Sequence, residues 1–165
     1  VMRVTDGLFA KACIEVSKDY PEIKFEEMYV DACAMNLIRQ PEKFDVVVTT
    51  NLFGDILSDE SSQVVGGLGM APAANLGDDF ALFEPVHGAA FDIAGQNIAN
   101  PSSFLLSIKM MLDWLGAKHN DQKCFEMAKK LESTIFDLVK TGIKTKDIGG
   151  DKTTTEFTKQ ITDNL

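Results

Sequence analysis

The chain predicts an α/β fold, and three observations carry that prediction. The run "FDVVVTT", residues 44–50, is β-branched and apolar without alternation, which is how a strand buried on both faces of a sheet reads. Segments with apolar residues at a helical period lie on both sides of it, so strand and helix alternate along the chain. With 165 residues, 45% of them hydrophobic and 25% charged, the chain is long and apolar enough to bury a core.

The elements follow in order. Thr5 and Asp6 can cap a first helix whose apolar positions Leu8, Phe9, Ala12, Cys13 and Val16 share a face, ending near Tyr20 and Pro21. "KFEEMYV", residues 24–30, reads as a strand, and Asp31 then opens a short helix, "DACAMNLIRQ", stopped by Pro41. After the strand at 44–50 comes a turn around Asn51 to Gly54, then a helix from about Asp55 to Val65, broken by "GGLG" at 66–69. About 35 residues of loop and short extended pieces follow, including "FEPVHGAAFDIAGQNIANP". Loops that long inside a compact chain are usually functional. Two helices come next, Ser102 to Leu115 and Asp121 to Lys140; the first contains "SFLLSIKMMLDWL" and is apolar enough to expect burial. The turn "DIGGD" leads into a last amphipathic helix, roughly Thr153 to Asn164, and no internal repeat or linker interrupts the order.

Charge and cysteine usage narrow the function classes. A formal net charge of -9 and a pI near 4.6 leave no basic stripe to follow a phosphate backbone, which argues against nucleic acid. No apolar run approaches the ~18 residues of a membrane-spanning helix, so no membrane partner is expected. Cys13, Cys33 and Cys124 are far apart and odd in number, which predicts core thiols in a reducing, cytoplasmic setting.

Asp31, Asp55 and Asp59 share one circumstance: each lies at or just beyond the C-terminal end of a predicted strand, the edge where open α/β sheets bind ligands. Asp55 and Asp59 are one helical turn apart, so both carboxylates leave the same face and repel unless a cation sits between them. Oxygen ligands without nearby His or Cys suit Mg²⁺ or Mn²⁺. The plainer alternative makes Asp31 and Asp55 helix N-caps and Asp59 a solvated helix residue. In the loop, His87, Gly88 and two alanines offer a backbone that a flat ligand can approach, and Asp92 could accept from a ribose diol. It matches no phosphate-binding glycine motif, and an ordinary loop histidine is the alternative.

Longer motifs resolve more. "YVDACAMNLIRQPEKFDVVVTTNLFGDILSDESSQVVGGLGMAPAANLG" followed by "FEPVHGAAFDIAGQNIANP" closely resembles the β-decarboxylating dehydrogenases of metal-bound 2-hydroxy acids: isopropylmalate, isocitrate and homoisocitrate dehydrogenases. The resemblance runs through all 165 residues. It implies the C-terminal half of a two-domain, isopropylmalate dehydrogenase-like subunit, with residues 1–65 in the central dimer-forming domain and 66–165 in the first, NAD-binding domain. A family lysine and asparagine would fall immediately before Val1, and the arginines that bind substrate carboxylates and a catalytic tyrosine would also lie outside. The segment by itself is therefore expected to be marginally folded and inactive.

Carried over residue by residue, the resemblance implies Asp31, Asp55 and Asp59 as ligands of Mg²⁺ or Mn²⁺, with Asp31 and Asp55 also catalytic. Active sites would be shared in a homodimer or higher homo-oligomer, Asp31 serving the neighbour's site and the other two their own. The ion would chelate a small-molecule hydroxy acid, ease hydride departure and hold the electrons left when CO₂ departs. Glu84, His87, Gly88, Ala89, Asp92 and Asn100 would contact NAD, with His87 and Asn100 near adenine and Asp92 on its ribose. NADP-using relatives carry Lys and Tyr where this chain has Asp92 and Ile93, so NAD is expected. Phe91 departs from the proline common there.

The wording is most similar to archaeal members acting on 3-isopropylmalate, in leucine biosynthesis; isocitrate and homoisocitrate are the alternatives, because the helix that meets the 3-substituent lies outside this segment. From a different class comes a non-catalytic regulatory subunit of a hetero-oligomeric dehydrogenase. Such subunits tend to lose metal or cofactor residues, and this chain keeps three of three aspartates and the whole loop.

Overall fold

The computed structural model describes residues 2–165, and these fall into two compact units that divide between Val64 and Val65. The first unit holds three helices: α1 (Thr5–Ser17), α2 (Val30–Arg39) and α3 (Asn51–Val64). Its core is small. Cys33 and Leu37, one turn apart on α2, meet Leu57 of α3, with Val30, Ala34 and Phe44 packed around them. Burial, and then the Glu60 carboxylate, push the Cys33 thiol up, so this cysteine is an inert core residue as expected. Cys13 and Cys124 are only half-buried, a looser setting than the expectation gave them.

The expected strands at 24–30 and 44–50 do not form among the described residues. The valines of the second stand open instead: Val46 is 80% exposed and Val48 69%. A β-branched run supplies propensity, but a strand of a parallel sheet exists only by pairing, and among the described residues the hairpin of the second unit is the only sheet. Two consequences follow for the aspartates. Asp31 and Asp55 do not follow strand ends within this chain, and Asn51–Gly54 is the first turn of α3 rather than a loop, fixed by the Gly54 N–H donating to the Thr50 carbonyl at 2.8 Å. Asp55 therefore sits inside the helix and does not cap it.

The second unit begins where Gly66 and Gly67, with φ of 121° and 103°, take backbone angles that end a helix. A short 3₁₀ turn, Leu68–Met70, leads into an antiparallel hairpin of β1 (Pro72–Leu76) and β2 (Ala81–Pro85), with Pro72 opposite Pro85 and Leu76 opposite Ala81. A further 3₁₀ turn, Phe91–Ile93, precedes three helices: α4 (Ser102–His119), α5 (Gln122–Lys140) and α6 (Thr154–Asn164). Asp121 caps α5 by accepting from the Lys123 N–H at 2.9 Å, the role its type predicts.

The core of this unit is built on helical spacing. Leu131, Ile135 and Leu138 of α5 face Phe157 and Ile161 of α6, and Met70 and Leu106 complete the cluster. α4 lies against both hairpin strands and α5. The face turned to the hairpin is made of serines: the Ser103 hydroxyl donates to the Ala71 carbonyl and the Ser107 hydroxyl to the Glu84 carbonyl at 2.8 Å. Small side chains let helix and strand approach closely, and the hydroxyls add a second donor to carbonyls of the hairpin, the Ala71 carbonyl also accepting from the Val86 N–H at 3.3 Å. The expected burial of α4 holds only on that side and toward α5, since Phe104 is 56% exposed. At the far end of the hairpin, Lys118 donates to the Asp79 carbonyl while its ammonium lies 4.5 Å from the Trp114 ring centre, and Trp114 meets Phe83 edge-on at 6.2 Å.

The start of α6 loses stability as pH falls. The Thr153 N–H, and then its hydroxyl, donate to the Glu156 carboxylate at 2.9 Å each, while the Glu156 N–H donates back to the Thr153 hydroxyl. These donors hold the Glu156 carboxyl below the usual carboxylate range. A lowered folded-state value stabilises the fold above the unfolded-state value and loses that contribution as pH falls through the carboxylate range. Protection factors at residues 154–157, exchange rates taken relative to the intrinsic rate at each pH, are expected to fall on acidification, and Glu156→Ala to remove that fall; identical protection profiles in the two proteins would refute the capping role.

Candidate functional site

The acidic site is built on α2 and α3. Asp31 lies in the first turn of α2, where its carboxylate accepts from the Ala32 N–H at 2.8 Å and favours the positive end of the helix. Asp55 and Asp59 are successive turns of one face of α3, and both are exposed. The backbone around them is secured separately: the Ser58 hydroxyl donates to the Asp55 carbonyl at 3.2 Å and the Ser62 hydroxyl to the Asp59 carbonyl at 2.7 Å. Among the described residues neither carboxylate has a hydrogen-bond or ion-pair partner. Leu57, between them in sequence, points the other way into the core, which is what turns the pair outward.

No three His, Cys, Asp or Glu side chains among the described residues come together as a metal-binding group, so Asp31 does not join the α3 pair within this chain. The pair fits one hard divalent ion by its chemistry, since Mg²⁺ commonly takes one or two protein carboxylates and completes its shell with water and substrate oxygens. An open depression of about 230 Å³ lies just before α2, lined by Glu27, Met28 and Tyr29, and none of the expected ligands lines it.

The residues expected to contact a dinucleotide lie in the second unit. Glu84 projects from β2, its carboxylate accepting from the Asn75 amide of β1 at 3.3 Å, while Ser107 holds its carbonyl. After β2 the chain turns through His87, Gly88 and Ala89, all exposed. His87 Nδ1 is 2.9 Å from the Gly88 carbonyl; a carbonyl only accepts, so Nδ1 carries the proton and Nε2 is left as an acceptor in the neutral ring. A Cβ built on Gly88 would meet nothing within 4 Å, an open approach for a ligand.

Ala90 takes the left-handed conformation, φ 45°, which starts the 3₁₀ turn carrying Asp92. The Gln96 amide donates to the Asp92 carbonyl at 2.7 Å, fixing the turn and leaving the carboxylate without a partner among the described residues. That free acceptor fits a ribose diol.

Asn100 is half-buried before α4 and is held on three sides. Its Nδ2 donates to Asp147 at 3.0 Å and reaches Met70 Sδ at 3.5 Å, and its Oδ1 accepts from the Ser102 N–H at 3.0 Å. Asp147 in turn accepts from the Thr145 hydroxyl at 2.6 Å. The loop and α6 are also joined, since Asn97 Oδ1 accepts from the Thr155 hydroxyl at 2.8 Å and the Thr154 hydroxyl donates to the Ala99 carbonyl at 2.6 Å. Asp147 was not singled out from the sequence; its signal was an acidic residue set before two glycines in "DIGGD".

Comparison with known proteins gives three findings. The chain matches the family described as Isocitrate/isopropylmalate dehydrogenase over residues 1–165. It is 57% identical over 151 residues to a 3-isopropylmalate dehydrogenase of Saccharolobus solfataricus, covering 91% of this chain and 44% of that one, and 50% identical over 165 residues to an isocitrate/homoisocitrate dehydrogenase of Thermus thermophilus, covering 100% and 47%. The crystal structure of isocitrate dehydrogenase from Methylococcus capsulatus superposes with a TM-score of 0.90 at 40% identity, over 99% of this chain and 47% of that one. The chain spans about half the length of the relatives it matches.

Proposed function

Because the chain belongs to the isocitrate/isopropylmalate dehydrogenase family, we propose that the full-length subunit containing it oxidises and decarboxylates a metal-bound 3-substituted malate with NAD, and that 3-isopropylmalate is its substrate. The observation that carries this is the α3 pair: two exposed carboxylates a turn apart, without partners among the described residues, in a chain that matches the family over residues 1–165. Relatives named isocitrate/homoisocitrate and homoisocitrate dehydrogenase at 50% and 52% identity favour a second reading, in which the 3-substituent is a carboxylate-bearing chain.

In this reading Asp55 and Asp59 hold Mg²⁺ or Mn²⁺ in their own subunit, and Asp31 serves the partner's site in a homodimer or higher homo-oligomer. A bound ion supplies Lewis acidity toward the substrate's hydroxyl and carbonyl oxygens. The residues of this chain do the placing. α3 turns both carboxylates to one side because Leu57 anchors its opposite face. Asp31, with one oxygen committed to the Ala32 N–H, keeps the other for a proton at the substrate hydroxyl.

NAD, which supplies the hydride acceptor, is read as lying along His87, Gly88 and Ala89, with Asp92 on the adenosine ribose and Glu84 and Asn100 flanking. The division into compact units at Val64 and Val65 supports giving residues 1–65 to the metal and substrate domain and 66–165 to the NAD domain. The test is NADH formation by the full-length protein with isopropylmalate, isocitrate, homoisocitrate and malate, with and without a chelator. Turnover of isopropylmalate above the others, lost on chelation, is the expected result; equal rates on isocitrate and isopropylmalate would overturn the substrate assignment.

A further inference from the structure

The two ends of a primary amide have nearly the same shape, so what Asn100 offers a ligand depends on which way its amide is turned. Here its neighbours settle the polarity. The Asp147 carboxylate can only accept, so the group 3.0 Å from it is the NH₂ end; the Ser102 main-chain N–H can only donate, so the group 3.0 Å from it is the oxygen. A flipped amide would set oxygen against carboxylate and N–H against N–H. Met70 Sδ, at 3.5 Å, takes the remaining N–H direction. One capacity is left over: a lone pair on Oδ1.

Asp147 is itself held in place for this. One of its oxygens accepts from Thr145, whose side chain has no exposed surface, and the other lies 2.8 Å from where a Cβ at Gly69 would be, so only glycine leaves room for it. Three stretches far apart in sequence converge to turn one amide.

We propose that Asp147 is a positioning residue of the cofactor site: it fixes Asn100 with an acceptor toward the base, and so selects a purine bearing a 6-amino group over one bearing a 6-oxo group. The inference rests on the reading that Asn100 borders the adenine. An amine donates to the free Oδ1 lone pair, whereas a 6-oxo group sets oxygen against oxygen.

The experiment compares kcat/KM for NAD and for nicotinamide hypoxanthine dinucleotide in the full-length enzyme, its Asp147→Asn, Thr145→Val and Asn100→Ala variants, with thermal unfolding of each. The unsubstituted enzyme is expected to prefer NAD about tenfold, the worth of one good hydrogen bond. In Asp147→Asn the residue at 147 can both donate and accept, so only the Ser102 N–H still opposes a turned amide and the preference falls severalfold, through KM rather than kcat. Thr145→Val shifts it the same way by less, and carries the test if Asp147→Asn does not fold. A purely structural Asp147 would change unfolding without changing the ratio between the two dinucleotides. An unsubstituted enzyme indifferent to the two overturns the selection itself, whereas a preference that survives both Asp147→Asn and Thr145→Val while Asn100→Ala abolishes it overturns the role of Asp147 and leaves Asn100 at the base. An Asn100→Ala variant with unchanged KM and preference overturns the placement of Asn100 beside adenine, and this inference with it.

Discussion

Replacing Asp55 with Asn in the full-length protein is expected to cut turnover by roughly 100-fold or more and to raise the Mg²⁺ concentration needed for half-maximal rate. The substitution is nearly isosteric, and Asp55 is exposed without a partner among the described residues, so folding loses nothing. What is lost is one of two negative charges on a face of α3 that otherwise repel each other across a turn. Thermal unfolding of the variant without metal should be unchanged or slightly raised, the opposite sign from the loss of activity. That pairing separates a ligand from a helix-stabilising aspartate. Unchanged rate and unchanged metal dependence would return Asp55 to the role of a solvated surface residue.

The second large effect concerns the dinucleotide. Asp92→Lys together with Ile93→Tyr is expected to move the ratio of kcat/KM for NADP over NAD by about 100-fold toward NADP, since removing a like-charge contact worth several kcal/mol changes preference by orders of magnitude. The backbone should accept the change. Asp92 contributes only its carbonyl to the turn, through Gln96, and its side chain has no partner among the described residues to strand. Steady-state kinetics with both dinucleotides decide it, and a ratio unmoved by the charge reversal would place the ribose elsewhere.

How much of this could be read from the chain depended on whether the cause was local. Asp121 and Thr153 mark helix starts by their own side chains, Gly66 and Gly67 mark a helix end by their backbone angles, and all were legible. Residues 44–50 looked most like a strand and are not one here, because propensity resides in the segment and pairing in a neighbour. The hairpin went unseen for the opposite reason. Its strands are short and carry prolines at their outer ends, and the signal lay in the turn "GDDF" between them. Asn51–Gly54 was misread because a glycine in the first helical turn resembles a loop.

The site divides along the same line. The α3 aspartates were placed by spacing alone, since four residues on a helix fixes a face whatever else the chain does. The type and position of Asn100 were evident, but its polarity was not, because the carboxylate that orients it comes from 47 residues further along. Family resemblance names contacts with a ligand; it does not say which internal neighbour has turned each contact the right way.

The edge-on seating of Trp114 against Phe83 has an optical consequence. This is the only tryptophan in the chain, and it reports from the seam between α4 and the strand that carries Glu84, with the Lys118 ammonium over its ring. Emission excited at the indole is therefore a built-in gauge of whether hairpin and helix are docked, and its spectrum reddens when water reaches that seam. The second unit brings its own dye, read without a label and without turnover.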